Sequence, residues 1–345
     1  MIVPHPNFSI VYHSNEQRKE IEDFIRKVEG HTPTLQFKTS GSTGEPKYIE
    51  HSKSAIEISA NKTIGYFQLK ENESAALCLS VKHIAGAMMV IRSMIAGLTL
   101  HVLPVSKTAV DFLEAKMNFL ALVPMQLQHA LKSPTGISNL KKSEHILIGG
   151  APISTLINQK LISEKISVYH SYGMTETITH IALKKTGYLG NDHYKTLEGI
   201  SISAENDVLH IDYPEIINKK IITNDRIELL SNSSFRWLGR VDFVINSAGY
   251  KISPEILEEK INTIFKSECI ATGIEDDSFG EMIGLIFKGK APENINKKRF
   301  SKILHPYEIP KLFTELETFA TNQNGKLDRK KTALKTKDCV WKKIL

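Results

Sequence analysis

The chain has 345 residues, of which 41% are hydrophobic and 24% are charged, and its net charge is +6. This length predicts two or three domains with a large core, and the composition is that of an ordinary globular protein. The modest positive charge suits anionic small molecules such as nucleotides and acids, and it excludes the strongly basic pattern of a nucleic-acid-binding protein.

The cysteines and the apolar segments indicate the compartment. Cys78, Cys269 and Cys339 are far apart and form no paired spacing, which argues against a disulfide framework or a zinc site. The N-terminus lacks the basic start and apolar run of a signal peptide. The longest apolar stretch, residues 84–91, is interrupted by Arg92 and is too short to cross a bilayer. We therefore expect a cytoplasmic protein without a membrane span.

Hydrophobic periodicity predicts the elements of the first two thirds of the chain. A surface helix is expected at residues 16–28 and a short strand at residues 35–38. Strand-like and helical stretches then alternate, which predicts an α/β sheet with parallel pairs. The strands are expected at residues 75–81, 99–102, 119–123 and 145–148, and the helices at residues 84–96 and 111–118.

The pattern changes toward the C-terminus. Residues 200–238 read as short strands with Asn, Asp and Ser turns, as in a small β-rich subdomain. A compact βαβ-like tail follows, with strands at 241–245, 270–273 and 283–287 and a helix at 254–265. We predict a large N-terminal α/β domain with a mixed or parallel sheet, residues 1–239, and a small C-terminal α+β domain, residues 240–345.

A glycine- and hydroxyl-rich segment after the first predicted strand is the strongest local signal. It reads Thr39-Ser40-Gly41-Ser42-Thr43-Gly44-Glu45-Pro46-Lys47. Two glycines allow a tight turn that exposes N–H groups to an anion, and the hydroxyls and the lysine supply further donors to phosphate oxygens. Pro46 stands between glycine and lysine, so this is not a Walker loop. The alternative is a flexible solvent loop, which has no need for this order of residues.

This segment resembles the phosphate-binding loop of the acyl-adenylate-forming (AMP-binding) superfamily. Four further blocks match that family in order, and together the five span residues 37 to 329. A single block could be chance, but five in the right order hardly could. The four are Gly149-Gly150-Ala151-Pro152, Ser171-Tyr172-Gly173-Met174-Thr175-Glu176-Thr177, residues 239–245 running into Gly249-Tyr250-Lys251-Ile252, and Asn324-Gly325-Lys326-Leu327-Asp328-Arg329.

The resemblance implies a nucleotide site assembled from these blocks. Residues 39–44, Lys47, Ser171 and Gly173 would contact the nucleotide, and residues 149–152 would line the adenine. Tyr172 would stack on the adenine, Thr175 would meet the α-phosphate and Glu176 would hold Mg²⁺. A glutamate is a hard oxygen ligand that suits Mg²⁺, although an exposed carboxylate without a ligand is the usual fate of this residue type.

Two further residues are implied to bind the nucleotide. Asp225 matches the ribose-binding aspartate, because a carboxylate can accept from both ribose hydroxyls. Asn224 stands where the family usually has glycine, and asparagine tolerates unusual backbone angles. Arg240 is expected to bind ribose or phosphate; the alternative is an ion pair with an acid at the domain joint.

The last two blocks imply a catalytic lysine, a hinge and a mobile C-terminal domain. Lys326 would bridge the carboxylate oxygen and the α-phosphate, stabilise the charge of the transition state and act with Thr175 and Glu176. Asp242 would be the hinge of a mobile C-terminal domain that closes for the first step and rotates for the second. Its alternative is an ordinary loop aspartate. Gly249, Tyr250 and Lys251 would line the channel for CoA.

The prediction of the substrate pocket depends on residues 82–97, which resemble the corresponding stretch of the o-succinylbenzoate–CoA ligases of menaquinone synthesis. His83 would open a helix beside the acyl site, and Gly173 would also contact the acid. Arg92 lies in an apolar helix without an acid on its face, so a second substrate carboxylate is one partner for it. The alternatives are an ion pair with a distant acid or an exposed side chain for Arg92, and a satisfied core histidine for His83.

The resemblance thus implies an ATP- and Mg²⁺-dependent acid–CoA ligase that forms an acyl-adenylate and then a thioester, with o-succinylbenzoate as the preferred acid. Another acid-activating ligase that feeds a carrier protein or an amine, and an inactive nucleotide-binding regulator, remain alternatives. Residue 39 lies much nearer the start than in full-length relatives. Much of the family's first N-terminal subdomain is therefore expected to be trimmed, which affects the acyl pocket more than the chemistry.

Overall fold

The computed structural model describes residues 1–38, 47–188, 190, 192–278, 280–321 and 327–345. The strands of these ranges are β1 (Ser9–Tyr12), β2 (Thr34–Lys38), β3 (Tyr48–Ser52), β4 (Ser74–Leu77), β5 (Thr99–Val102), β6 (Phe119–Leu122), β7 (His145–Ile148), β8 (Val168–Gly173), β9 (His180–Thr186), β10 (Tyr194–Thr196), β11 (Ser201–Glu205), β12 (Val208–Asp212), β13 (Ile221–Ser231), β14 (Ser234–Arg240), β15 (Ile245–Ser247), β16 (Tyr250–Ile252), β17 (Cys269–Asp276), β18 (Gly280–Lys288), β19 (Leu312–Leu316) and β20 (Lys342–Lys343). The α-helices are α1 (Arg18–Glu29), α2 (Lys53–Phe67), α3 (Ile84–Ala96), α4 (Pro124–Ala130), α5 (Pro134–Lys142), α6 (Thr155–Glu164), α7 (Pro254–Phe265), α8 (Lys297–Phe300) and α9 (Arg329–Leu334).

One sheet of twelve strands organises residues 9–240, in the order β1-β5-β4-β6-β7-β8-β9-β10-β14-β13-β12-β11. From β1 to β8 each neighbouring pair is parallel, and from β8 to β11 each pair is antiparallel. Helical crossovers supply the parallel part, as the alternation of strands and helices predicts. The expected mixed α/β sheet with a β-rich extension is confirmed.

Both faces of the parallel part are buried, because neighbouring residues of a strand point to opposite faces. Ala75 and Leu77 of β4 face the core formed with α1, α2 and α3. Ala76 and Cys78 face the core formed with α4, α5 and α6. These central strands are therefore apolar throughout, and polar groups concentrate where the strands end.

A second sheet lies beyond Arg240, in the order β16-β15-β18-β19-β20, with β17 also paired to β18. Its core is covered by α7, whose Leu257 and Ile261 are buried against Leu285 and Phe287 of β18. The first sheet ends at Arg240 and the second begins at Ile245. The division at residues 239–240 and the mobility of the C-terminal part stay predictions.

Three sequence-based predictions of local structure are wrong. Residues 111–118 are not an α-helix: a single 3-10 turn, Ala109–Phe112, is followed by an irregular segment. Leu113 and Met117 are both buried, so their four-residue spacing reflects burial alone. Residues 241–245 are not a strand, since Val241–Phe243 is a 3-10 turn. The tail is not βαβ-like either, because β17 and β18 form a long antiparallel hairpin.

The β2–β3 hairpin stands apart from both sheets, with Lys38 opposite Tyr48 at its end. It carries residues 39–46 between its strands, and these lie outside the described residues. Among the helices of the described ranges, none is long and apolar enough to cross a membrane.

Candidate functional site

Two of the predicted blocks meet at the carboxyl edge of the parallel strands. Residues 149–152 follow β7, and Ser171 to Gly173 end the neighbouring strand β8. The Ser171 hydroxyl donates to the Ile148 carbonyl at 2.9 Å. Gly150 has φ +92, a left-handed conformation that glycine adopts without strain. In open α/β sheets this edge is where ligands bind.

The buried His170 fixes the position of the 149–152 turn. Its Nε2 lies 3.0 Å from the Ala151 carbonyl oxygen, and its Nδ1 lies 2.9 Å from the Tyr194 hydroxyl. A carbonyl only accepts, so Nε2 carries the proton and Nδ1 accepts from Tyr194. Burial lowers the pKa of His170 to about 3, which keeps the ring neutral. Sequence reasoning missed His170, whose only signal is its place two residues before Tyr172.

A buried carboxylate, Asp225, joins β13 to the end of β8. The Tyr172 hydroxyl donates to its Oδ2 at 2.7 Å, and the Trp237 indole N–H donates to its Oδ1 at 3.0 Å. Burial and the adjacent Asp225 charge raise the pKa of Tyr172 well above its ordinary value, so the phenol stays protonated and donates. The structure thus brings Tyr172 and Asp225, predicted from separate parts of the sequence, into direct contact.

Arg240 lies directly opposite Asp225 on the neighbouring strand β14. Its guanidinium binds Asp242 with Nη2 and Oδ2 2.7 Å apart, while Nε is buried without a hydrogen-bond partner. Asp242, the predicted hinge residue, sits in the 3-10 turn after β14, and the Asn224 amide approaches it at 3.5 Å. This pair is the ion pair at the joint that the sequence left as one alternative for Arg240, and it places the cation one strand from Asp225.

A tight turn carries Thr175 and Glu176 beyond the end of β8. Thr175–Thr177 is a 3-10 turn, and the Thr179 N–H then donates to the Thr177 carbonyl at 2.7 Å across Ile178. Ile178 has φ +65 and ψ −57, the rare γ-turn that a β-branched residue adopts only under strain. Gly173 precedes this turn, where a Cβ atom would lie 2.4 Å from the Thr179 carbonyl oxygen.

The Glu176 carboxylate is exposed and fits a magnesium ion that is held partly by a nucleotide. Within the described ranges, no cluster of three or more His, Cys, Asp or Glu residues could hold a metal by itself. Magnesium usually binds one or two carboxylates and completes its shell with phosphate oxygens and water. A single exposed glutamate therefore suits a Mg²⁺ ion whose other ligands are phosphate oxygens and water, and it does not suit an ion that needs a full protein cage.

His51 connects the β2–β3 hairpin to this turn. Its Nε2 donates to the Thr175 carbonyl at 2.7 Å, and its ring contacts Phe37. Burial lowers the pKa of His51. The hairpin that carries residues 39–46 is thereby attached to the turn that carries Glu176. No sequence motif pointed to His51, because the contact depends on residues 124 positions apart.

Replacing His51 with leucine is expected to lower acid-dependent ATP turnover about fivefold, since one hydrogen bond between the hairpin and the turn contributes about 1 kcal/mol. Glutamine keeps an N–H donor at a similar reach, so His51→Gln is the matched control and should retain most of the activity. Steady-state kinetics at varied Mg²⁺ concentration measure both variants. Equal activity of the leucine and glutamine variants would show that this bond has no role.

Arg92 is completely enclosed in the core of the first sheet, with 2% of its surface exposed. Its Nη2 donates to the Thr179 hydroxyl at 2.9 Å, and its Nε has no hydrogen-bond partner. None of the ion pairs among the described residues includes it, and burial lowers its pKa to about 9. The alternative of an exposed Arg92 is therefore wrong, and no protein carboxylate in these ranges neutralises it.

A directed chain of hydrogen bonds continues from Arg92 into the core. Because the guanidinium only donates, the Thr179 hydroxyl accepts from Arg92 and donates its own hydrogen bond to His180 Nδ1, 3.3 Å away. His180 Nε2–H then donates to the Thr63 hydroxyl at 3.3 Å, and Thr63 donates to the Ser59 carbonyl. Burial and the Arg92 charge hold the pKa of His180 well below its ordinary value. The chain keeps Thr179 turned toward Arg92 as an acceptor.

Replacing Arg92 with methionine is expected to stabilise the fold by about 1–4 kcal/mol. The reason is that the desolvation penalty of a buried charge without an acidic partner exceeds the free energy that its hydrogen bond contributes. Thr179 would keep His180 as its acceptor, so no polar group is orphaned. Urea unfolding at neutral pH measures the change, with the exposed Arg26→Met as the control, for which a shift within about 0.5 kcal/mol is expected. A loss of stability in Arg92→Met would mean that the charge is neutralised in the free protein.

The start of α3 places the other residue predicted for the acyl site. His83 precedes the helix, is exposed, and is not the satisfied core histidine considered as its alternative. Gly86 must remain glycine, because a Cβ atom there would lie 2.3 Å from the Ser80 carbonyl oxygen. Arg92 lies within α3 and in the core, so this helix separates it from His83, which stands before the exposed N-terminal end of the helix.

Several predicted residues fall outside the described ranges. Residues Thr39, Ser40, Gly41, Ser42, Thr43 and Gly44 of the phosphate segment do so, and so does Lys326. Lys47 follows the segment and is exposed. The described residues that flank the phosphate segment are those of the β2–β3 hairpin, and those that follow Lys326 begin at Leu327.

The chain after Lys326 is anchored to α7 by a buried ion pair. Arg329 donates from Nη1 to Glu258 Oε1 at 2.7 Å and from Nη2 to Glu258 Oε2. Burial raises the pKa of Glu258 to about 6, although the adjacent guanidinium opposes this shift. Asp328 accepts from the Lys331 N–H and caps α9. Asp328 and Arg329, the second and third residues after Lys326, are thus held by these contacts.

The residues predicted to line a CoA channel lie in the β15–β16 turn and at the start of β16. Gly249 has φ +82, as expected for a tight turn, and Lys251 is exposed. Tyr250 is half exposed and stacks on Tyr307, with ring centroids 4.1 Å apart and planes within 5°. A flat aromatic surface and a lysine therefore stand together at the surface of the second sheet.

Comparison with known proteins agrees with this fold. The AMP-binding enzyme family matches residues 6–207, more than half of the chain. The solved structure of an acyl-CoA synthetase (AMP-forming)/AMP-acid ligase II-like protein from Dyadobacter fermentans is 31% identical, with a TM-score of 0.62 over 93% of this chain and 95% of that chain. O-succinylbenzoate coenzyme A synthetase from Bacillus subtilis, solved with ATP and magnesium ion, is 21% identical, with a TM-score of 0.73 over 86% of this chain and 69% of that chain.

A curated relative is the 2-succinylbenzoate–CoA ligase of Haemophilus influenzae, which is 28% identical over 70% of this chain. The match spans 56% of that protein's length, so the chain corresponds to little more than half of it. The 2-succinylbenzoate–CoA ligase of Staphylococcus epidermidis is 24% identical over 85% of this chain and 68% of its own length. The mixed sheet is that of the AMP-forming synthetases. The chain belongs to the AMP-binding enzyme family, which confirms the resemblance.

Proposed function

We propose that the protein is an ATP-dependent acid–CoA ligase that forms an acyl-adenylate with release of pyrophosphate and then transfers the acyl group to the thiol of CoA. The observation that supports this most is the contact of Tyr172 with Asp225 beside the 149–152 turn. Tyr172 of the 171–177 block and Asp225, which are 53 positions apart, meet there, and the 149–152 block follows the strand next to that of Tyr172. Family membership makes a nucleotide the expected ligand at that edge.

In the first step the protein has to hold ATP and the acid in line. Asp225 accepts from the ribose, the 149–152 turn borders the adenine, and Thr175 together with residues 39–44 and Lys47 donates to phosphates. Arg240 adds a positive charge beside the ribose or the phosphates. Glu176 would hold Mg²⁺, which would supply positive charge beside the phosphates. Lys326 supplies the cation for the charge that grows on the α-phosphate in the transition state.

In the second step CoA replaces pyrophosphate as the partner of the adenylate. We propose that the C-terminal part, residues 240–345, rotates about Asp242 and brings Gly249, Tyr250 and Lys251 to the acyl group. The side chains of the Arg240–Asp242 ion pair are 32% and 31% exposed, so the pair can break and re-form at a small cost in free energy. Rotation also removes Lys326 from the adenylate, which a thiol can then approach.

The proposed acid is 2-succinylbenzoate, which has two carboxylates. One carboxylate reacts with ATP, and the other can neutralise Arg92, with His83 and Gly173 nearer the reacting end. A buried cation with an unused Nε donor and no described acidic partner favours an anionic ligand group. The cysteines Cys78, Cys269 and Cys339 are all free, in keeping with the cytoplasm as the proposed compartment.

Release of AMP from ATP tests the proposal with 2-succinylbenzoate, benzoate or succinate, each with and without CoA. We expect CoA-dependent AMP release and a thioester product with 2-succinylbenzoate, and much slower turnover of the other two acids. Equal turnover of benzoate would contradict the role of Arg92. If the adenylate reacts with an amine or a carrier protein but not with CoA, the acyl acceptor is that nucleophile and not CoA. No adenylate with any acid would favour an inactive nucleotide-binding regulator.

A further inference from the structure

Trp237 on β14 is placed toward Asp225 by an irregularity in the strand pairing. Asp225 lies opposite Arg240, and Ile227 lies opposite Trp237, so three residues of β13 (225–227) face four residues of β14 (237–240). This is a β-bulge, with the extra residue at Leu238. Residues directly opposite each other in an antiparallel pair share a face. The bulge therefore puts both Arg240 and Trp237 on the face of Asp225, although residues three apart normally face opposite sides.

The bulge is held in place from outside the strand. The Ser253 hydroxyl, at the start of α7, donates to the Leu238 carbonyl. Gly239 has φ +114, and a Cβ atom there would lie 2.7 Å from the Ser253 hydroxyl oxygen. The irregular register is thus fixed by a hydrogen bond and by a position that only glycine fills without strain.

The two donors at Asp225 leave a defined acceptor pattern. The Trp237 indole is a donor only, and Tyr172 donates to the other oxygen, so the carboxylate accepts one hydrogen bond on each oxygen. An ionised carboxylate has about four acceptor positions, which leaves one on each oxygen. Two neighbouring acceptors match the two hydroxyls of a ribose. Asp225 is only 8% exposed, so few water molecules compete for them.

We propose that Trp237 is a positioning residue that fixes the Asp225 carboxylate in the plane needed to accept from both ribose hydroxyls. This inference rests on the proposed nucleotide site. Without the indole N–H, the Asp225 carboxylate is held by Tyr172 at one oxygen only, and rotation about the Cβ–Cγ bond of Asp225 is less restricted. Recognition of the ribose diol then weakens, while contacts to the base and the phosphates stay as they are.

The test compares ATP, 2′-deoxy-ATP and 3′-deoxy-ATP by calorimetric titration of the wild type and of Trp237→Phe. The wild type should prefer ATP over both deoxy analogues. In Trp237→Phe we expect ATP to bind about tenfold more weakly, as for loss of a hydrogen bond to a charged group, and the analogues to bind nearly as before. Trp341→Phe, which removes the other tryptophan from a contact with Gly284 of the second sheet, is the matched control.

The outcomes separate the inference from the proposed function. If the wild type binds no adenine nucleotide, the proposed function fails. If it prefers ATP and Trp237→Phe keeps that preference, or loses ATP and deoxy-ATP affinity equally, Trp237 does not position Asp225. Should Trp237→Phe not fold, Trp341→Phe leaves Trp237 as the single tryptophan. Its emission should then change with ATP and less with the deoxy analogues, and an equal change with all three would overturn the inference.

Discussion

Lys326→Ala is expected to lower the rate of adenylate formation about 100- to 1,000-fold, the usual effect of removing one transition-state donor. The lysine is proposed to meet charge that develops only as the carboxylate attacks the α-phosphate, so the loss should fall on kcat rather than on nucleotide binding. Acid-dependent exchange of labelled pyrophosphate into ATP measures the first step, and calorimetric titration measures ATP affinity.

The matched control for this substitution is Lys330→Ala. Lys330 is an exposed lysine four residues further along, in α9, and its removal changes the net charge equally. We expect it to keep most of the exchange activity. Equal effects of the two substitutions, or normal exchange in Lys326→Ala, would contradict a catalytic role for Lys326.

Arg92→Met is expected to lower kcat/KM for 2-succinylbenzoate about 100-fold and to leave the slow turnover of benzoate nearly unchanged. The reason is that the distal carboxylate would lose a charged hydrogen-bond partner in a dry site, which costs about 3 kcal/mol. Since the same substitution should stabilise the fold, loss of activity and gain in stability are expected together. A parallel loss with both acids would show that Arg92 supports the site in general.

The pH dependence follows from the same side chain. Burial lowers the pKa of Arg92 to about 9, so the guanidinium is charged below that pH and becomes neutral above it. In the wild type, kcat/KM for 2-succinylbenzoate should therefore fall as the pH rises through about 9. Benzoate has no second carboxylate, so its profile should lack this fall, as should the profile of Arg92→Met with either acid. A fall of the same size with benzoate would assign the ionisation to another group.

Elements with a strong periodic pattern were predictable from the sequence. The helices at residues 84–96 and 254–265 and the strands at 99–102 and 145–148 are confirmed at the residues expected. Each has apolar residues at a regular spacing that are buried in a core, so local pattern and tertiary packing agree. The helix predicted at residues 111–118 was wrong because Leu113 and Met117 are buried at a helical spacing in a segment that is not helical.

The contacts of the candidate site were less predictable. The family blocks indicated Tyr172, Asp225 and Arg240, but not that Tyr172 would donate to Asp225. His51, His170 and Trp237 carried no motif, because their roles arise from long-range pairing and from a bulge whose register a single sequence does not reveal. For Arg92, the apolar helix indicated an unusual cation, but only the structure shows its complete burial and its bond to Thr179.

The central claim, that the acid is activated as its adenylate, is tested most directly by following the oxygen atoms of the acid. In that reaction a carboxylate oxygen of the acid becomes bonded to the α-phosphorus and leaves with AMP when CoA attacks. With 2-succinylbenzoate labelled with ¹⁸O in its carboxylates, mass spectrometry should find one labelled oxygen in each AMP formed and none in pyrophosphate. Thioester formation with unlabelled AMP, or with ADP and labelled phosphate as products, would contradict the account.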